Sequence, residues 1–198
     1  MIAALYVETG GVYFGLTDVD PWDEQRDARQ YAGPWPVVAH PPCERWSTLA
    51  ALNQALHGHQ IGDDGGCFAA ALDAVRTYGG VLEHPANSFA WSRFDLPTPI
   101  RHGWQQSIYD PGWATEVSQV AYGHPCRKRT WLYYVGECPP PSLDWSEPEA
   151  TGTVGGGRWR GAANREGRTQ YDAASRSPLS FRDELLCIAA WSSDPVPA

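Results

Sequence analysis

The stretch from Val37 to Glu83 constrains the fold of this chain most. Val37-Val38-Ala39 is a short apolar run ending at His40-Pro41-Pro42-Cys43, which predicts a buried strand stopped by two prolines. Ser47 is a fair N-cap for a helix to about Leu56, with Leu49, Leu52 and Leu56 at helical spacing and Gly58 ending it. From about Gly66 to Tyr78, the residues Phe68, Leu72, Val75 and Tyr78 recur at helical intervals until Gly79-Gly80. Val81-Leu82-Glu83 then reads as the next strand. Strand, helices, strand is the pattern of a crossover in a parallel sheet, so the chain is expected to be α/β. Cys43 and Glu83 both fall at carboxyl ends of these strands, where open α/β sheets gather their ligands.

The flanking sequence extends this frame. Ala3 to Val7 reads as a first strand closed by Gly10-Gly11. Asp18 to Arg29 is dense in charge and reads as exposed, with at most a short helix, before Pro34 and Pro36 force extended backbone. Residues 86–115, rich in Pro and Trp without a period, read as loop. Glu116 to Ala121 and Thr130 to Val135 read as strands around the turn Tyr122-Gly123-His124-Pro125. Residues 136–176 carry Pro139-Pro140-Pro141 and Gly155-Gly156-Gly157 with few aliphatics, the composition of an irregular insertion. Ser177-Pro178 opens a last helix with Phe181, Leu185, Ile188 and Ala189 on one face.

A chain of 198 residues with 42% hydrophobic content can bury one sizeable core, so residues 1–198 are expected to form a single domain. No apolar run approaches a membrane span, and Met1 to Val7 lacks the basic start of a signal peptide. The five cysteines are scattered, with neither CxxC pairing nor zinc spacing. These features predict a reduced, cytoplasmic setting with no metal and no membrane partner. The net charge of -8 speaks against a general nucleic-acid coat. Its distribution is uneven: residues 1–66 hold nine acids and three bases, whereas residues 121–198 hold nine of each. Arg127, Lys128, Arg129, Arg158, Arg160, Arg165 and Arg168 crowd two short stretches that suit a phosphate backbone or, equally, a solvated surface.

Cys43 stands apart from the other cysteines. Cys67 and Cys187 lie on helical faces, where an unpaired cysteine usually acts as a small hydrophobe. Cys43 instead follows two stiffening prolines and precedes the predicted helix N-terminus, whose dipole favours a thiolate. His40 and His84 flank Cys43 and Glu83. Each suits either the orienting of a catalytic group or the role of a satisfied interior histidine. Trp46, beside the cysteine, is the best candidate among ten tryptophans for stacking on a base.

Four segments in order carry a family likeness: Leu5 to Leu16, Pro41-Pro42-Cys43-Glu44-Arg45-Trp46-Ser47, Leu82-Glu83-His84-Pro85, and Tyr122 to Thr130. They resemble the motifs of cytosine-5 DNA methyltransferases, most nearly the short, diverged members encoded by phages and mobile elements without a full target-recognition domain. Ser177 to Arg182 resembles the start of that family's closing helix. The resemblance implies a reduced Rossmann-like, methyltransferase-type sheet with helices on both faces. It implies Cys43 as the nucleophile that adds to cytosine C6 and Glu83 as the acid at ring N3. It implies S-adenosylmethionine as cofactor at Val7, Glu8, Thr9, Gly10 and Gly11, with Asp27 toward the adenine. Pro42, Trp46, Ser47, Arg127, Lys128 and Arg129 would hold the substrate. The chain departs from the pattern at Glu8, where the family has glycine, and at Cys126, where it usually has glutamine.

The chemistry fits these residue types. A thiolate at C6 pushes charge onto the ring, which protonation at N3 relieves, so burial is expected to keep the Glu83 carboxyl protonated or sharing a proton. Three functions remain open at this stage. The first is cytosine-C5 methylation of DNA, eased on a single strand because base flipping costs a few kcal/mol. The second is the same thiolate chemistry on a free pyrimidine nucleotide. The third is a non-catalytic descendant that binds nucleic acid or a protein partner.

Overall fold

The computed structural model describes residues 1–150, 152–153 and 176–193. Elements are labelled in chain order. An eight-stranded mixed sheet runs β2 (Val19–Trp22), β1 (Ile2–Leu5), β3 (Val37–Ala39), β4 (Gly80–Pro85), β9 (Arg129–Val135), β7 (Trp113–Ser118), β5 (Ile100–Arg101), and β6 (Gln105–Gln106) also pairs with β7. The first four strands in this order are mutually parallel. β9 then enters antiparallel to both β4 and β7. A separate parallel pair joins β8 (Cys126–Arg127) to β10 (Gly152–Thr153).

Strand alternation sets the layers. Ala3, Leu5, Val37, Ala39, Leu82 and Tyr133 face helix α2 (Cys67–Tyr78), which buries Phe68, Leu72 and Val75 against them. Ala4, Val38, Val81, Leu132 and Tyr134 face the other way, onto Phe181, Leu185, Ile188 and Ala189 of α4 (Leu179–Trp191). Helices thus cover both faces, which is why β1, β3 and β4 read as continuous apolar runs. Each of these fully buried large side chains contributes about 1.5–3 kcal/mol. Gly80 lets β4 start close against β3: a Cβ there would stand 2.0 Å from the Val37 carbonyl oxygen.

The sequence expectations for β1, β3, α2, β4, β9 and α4 match these elements within a few residues. Others are corrected. The charged stretch from Asp18 contains β2, an edge strand in which Pro21 is tolerated because one side of the strand is unpaired. Only the 3-10 turn Ala28–Gln30 represents the expected short helix. Helix α1 (Ala50–His57) has Leu49 as N-cap and no side-chain cap, so Ser47 does not cap it. Its leucines do not form a buried stripe either: Leu49 and Leu56 are exposed, while the side chain of Leu52 lies outside the described residues. Residues 86–115 are more than loop, holding α3 (Phe89–Arg93), β5, β6 and the start of β7. Gln119–Tyr122 is a 3-10 turn rather than the end of a strand. Of the predicted insertion, residues 136–150 contain neither helix nor strand, and Arg158, Arg160, Arg165 and Arg168 lie outside the described residues.

Candidate functional site

The chain leaves β1 for β2 on one side and then crosses to β3 on the other, so the order reverses between β1 and β3. Such a reversal opens a crevice beyond the carboxyl ends of the strands. A cavity of about 570 Å³ lies there, lined by Tyr6 to Tyr13, His40, Arg176, Ser177 and Arg182. Val7, Glu8, Thr9, Gly10 and Gly11, taken from the sequence as cofactor-binding, all border it. The turn is closed by the Gly11 amide donating to the Glu8 carbonyl at 2.8 Å. Gly10 is left-handed with φ 68, and a Cβ on Gly11 would meet that same Glu8 oxygen at 2.8 Å. Glu8 itself is exposed, so its side chain does not seal the turn.

Asp27 does not border the cavity. Its carboxylate is held by the Arg29 guanidinium at 2.7 and 3.0 Å. Asp23, just past β2, is the acid tied to the cavity wall, accepting from the Thr9 hydroxyl at 2.7 Å and from the amides of Gln25 and Arg26. Asp20 is bonded to Arg26 and Trp22.

At the end of β3, His40 continues the ladder by donating its amide to the Leu5 carbonyl. The chain then turns through Pro41 and Pro42, and the Cys43 carbonyl accepts from the amides of Trp46 and Ser47 at 3.0 and 2.8 Å. The Cys43 thiol is half-buried. Burial pushes it up, the Glu83 carboxylate adds to that push, and Lys128 pulls it down. Cys43, Glu83 and Lys128 therefore share one electrostatic neighbourhood. The expectation of a thiolate favoured by a helix dipole is corrected, because the thiol lies above its ordinary range and α1 starts only at Ala50.

Glu83 is 9% exposed on β4. One carboxylate oxygen meets His40 Nδ1 at 3.2 Å and the other accepts from Gln119 Nε2 at 3.4 Å. Burial pushes the carboxyl up, but the hydrogen bond and charge of His40, with Lys128 and His84, outweigh burial and hold it below the usual glutamate range. This corrects the expectation that burial alone decides its state. His40 Nε2 in turn lies 2.8 Å from the Tyr13 hydroxyl, whose proton is firmly held because burial, and then Glu83, push its pKa up. The chain Tyr13–His40–Glu83–Gln119 runs on to Thr130 through Gln119 Nε2. Tyr13 lies within the first motif without being singled out by it, and Gln119 lies in none; of this chain only His40 and Glu83 were legible as site candidates.

His84 points to the opposite face. It is fully buried between Phe68 and Trp91, and neither ring nitrogen has a hydrogen-bond partner among the described residues. Burial pushes its pKa down to about 4, although Glu83 and the Pro42 and Pro41 carbonyls pull the other way.

The three basic residues of the fourth motif diverge. Arg129 is committed to Glu116, with contacts at 2.8 and 2.5 Å. Arg127 faces Glu147 at 3.6 Å. Lys128 is the one that acts on both Cys43 and Glu83, and its ammonium reaches the Ser177 hydroxyl at 3.4 Å, beside the cavity. Pro42 is exposed and Ser47 half-buried on the cysteine turn. Trp46 is corrected from a stacking platform to a core residue: it is 5% exposed, packs on Phe68 and Phe94, and donates its indole N–H to Asp64 at 2.7 Å. Among the described residues no group of His, Cys, Asp and Glu could hold a metal ion, and no helix is long and apolar enough to cross a membrane. No protein-family model, curated protein or solved structure matches the chain.

Proposed function

We propose that the chain modifies C5 of cytosine in the manner of a cytosine-5 DNA methyltransferase. The observation that carries this reading is that Cys43, just past β3, and Glu83, near the end of β4, share surroundings with Lys128, and that His40, bonded to Glu83, and Ser177, bonded to Lys128, line the cavity at the order reversal. The parallel block covered by helices on both faces supports a Rossmann-like, methyltransferase-type sheet.

The cavity suits S-adenosylmethionine in size, since small-molecule sites span about 300–1,000 Å³. The Val7-to-Gly11 turn, cradled where a Cβ on Gly11 would not fit, would hold it. The exposed Glu8 carboxylate suits the cofactor's positive groups, and Arg176 or Arg182 its carboxylate. When bound, it would supply the methyl group. The residues of the chain carry the addition step. Cys43 adds to ring C6 and gives up its proton, Glu83 passes a proton to N3, and Lys128 stabilises the anionic thiol and carboxylate in turn.

The test uses 5-fluorocytosine, in a single-stranded oligonucleotide and as a mononucleotide, with and without S-adenosylmethionine. A covalent adduct located on Cys43 by mass spectrometry, and lost in Cys43→Ser, supports the reading. An adduct with the mononucleotide alone would shift the substrate from DNA to free nucleotides. No adduct on either would leave a non-catalytic binding protein. Calorimetry at millimolar S-adenosylmethionine tests the cofactor separately: no heat of binding removes methyl transfer.

A further inference from the structure

The bonds around His40 carry more than placement. Its two ring nitrogens have partners of different kinds: a carboxylate on Nδ1 at 3.2 Å, which only accepts, and a phenol on Nε2 at 2.8 Å, which donates or accepts. A neutral ring keeps both bonds, with Nδ1–H donating to Glu83 and the Tyr13 O–H donating to Nε2. A charged ring keeps both as well, because the Tyr13 hydroxyl rotates to accept from Nε2–H. His84, the very next residue after Glu83, has no hydrogen-bond partner for either ring nitrogen among the described residues and so offers no such pair of bonds.

We infer that His40 is a positioning residue that stores a proton for Glu83, so that the His40–Glu83 pair, rather than Glu83 alone, serves the substrate. This rests on the cytosine reading above. In the addition step the Cys43 S–H bond breaks and the S–C6 bond forms. The thiol proton enters the pair, a proton leaves the pair to form N3–H, and the ring electrons displaced from C6 end on N3. The pair regains its starting charge. The charged and titratable groups around it are Cys43 on the β3 loop, Lys128 between β8 and β9, His84 on β4, and Tyr13 on the β1 loop, with Arg182 and Asp183 of α4 acting on Tyr13.

Two measurements test it on the full chain. The first is the rate of adduct formation against pH, using a single-stranded 5-fluorocytosine oligonucleotide with S-adenosylmethionine. His40→Gln should lower the rate about tenfold or more at pH 8 and move the alkaline limb, because the proton is then held by Glu83 alone, without the His40 bond that keeps its carboxyl low. A uniform drop with the limb unmoved would mean a packing role and overturn the inference. The second is the ring ¹⁵N spectrum of the free protein. The neutral His40 ring should be the Nδ1–H form, and Glu83→Gln, whose amide can donate to Nδ1, should admit the other tautomer. An Nε2–H ring in the unaltered protein overturns the pair even if no adduct forms, whereas an Nδ1–H ring with no adduct on any pyrimidine overturns the cytosine reading instead.

Discussion

Glu83 and Glu116 are both buried carboxylates on the central sheet, 9% and 7% exposed, and β9 lies between their strands. Their surroundings differ in kind. Glu116 is saturated: Arg101 at 2.7 Å, Arg129 at 2.8 and 2.5 Å and the Trp131 indole at 2.8 Å fill its oxygens with donors that never titrate near neutrality. Glu83 has an imidazole at 3.2 Å and an amide at 3.4 Å, with a thiol and an ammonium near enough to act on it or be acted on. A carboxylate held by permanent charges stabilises a fold. One held by titratable groups can change state, which is what proton transfer needs.

The largest expected effect breaks the comparison at Glu83. Glu83→Gln should slow adduct formation by about 10²–10⁴-fold, the usual range for a general acid, with a small change in the urea midpoint. Glu116→Gln should do the reverse. It leaves two guanidiniums without their carboxylate and should cost about 2–3 kcal/mol in urea unfolding, less than the ~3–5 of a fully buried pair because Arg101 and Arg129 reach water. Equal rate losses in the two variants would mean that Glu83 is structural too. The pH dependence separates the roles further. Burial pushes the Glu116 carboxyl up, but Arg129, Trp131 and Arg101 together hold it low. Its contribution is therefore complete above the unfolded glutamate value of ~4.3 and lost as pH falls through the lower folded value.

How far this contrast was legible in the sequence depends on what each feature rests on. Cys43 and Glu83 follow from strand-end logic, because one short apolar run stops at Pro-Pro just past β3 and the other passes into the Glu83-His84-Pro85 end of β4. The α2 and α4 faces follow from periodicity, since their apolar positions are the buried ones. β2 was hidden because its four residues, Val-Asp-Pro-Trp, do not alternate cleanly, and an edge strand needs to satisfy only one neighbour. The α1 leucines show the opposite failure: helical spacing describes a helix whose apolar side chains, Leu49 and Leu56, remain exposed. The Glu116 cluster and the Tyr13–His40 bond join residues on different strands and loops, and local sequence carries no record of such pairings. Trp46 was misread because proximity in sequence to Cys43 does not fix the side a ring faces.

His84 gives a smaller effect and a control on the same strand. Its ring stays neutral in the fold down to about 4, while an unfolded histidine protonates near 6.5. The unfolded chain thus binds the extra proton first. This contribution to stability is full above pH ~6.5, declines as pH falls from there, and is exhausted below about 4. Between pH 7.5 and 5 the loss should be roughly 2 kcal/mol, at 1.36 kcal/mol per unit. His84→Phe, which keeps an aromatic ring between Phe68 and Trp91, should remove that part of the slope. An unchanged slope would mean that the buried ring finds a proton acceptor and is not the inert counterpart of His40.

The smallest effect is also the most direct check that the thiol and carboxylate share a site. The Glu83 anion helps to push the Cys43 thiol up and Lys128 pulls it down, whereas Glu116 does not figure among the groups that act on it. At pH 8, alkylation of Cys43 by iodoacetamide should therefore quicken a few-fold in Glu83→Gln, slow a few-fold in Lys128→Gln, and stay unchanged in Glu116→Gln. The signs matter more than the sizes, because a general loosening of the fold would speed all three. Quickening in Glu83→Gln alone, with slowing in Lys128→Gln, can come only from charge felt at the sulfur. Rates that ignore both substitutions would place the thiol and the carboxylate in separate surroundings and remove the chemical half of the contrast.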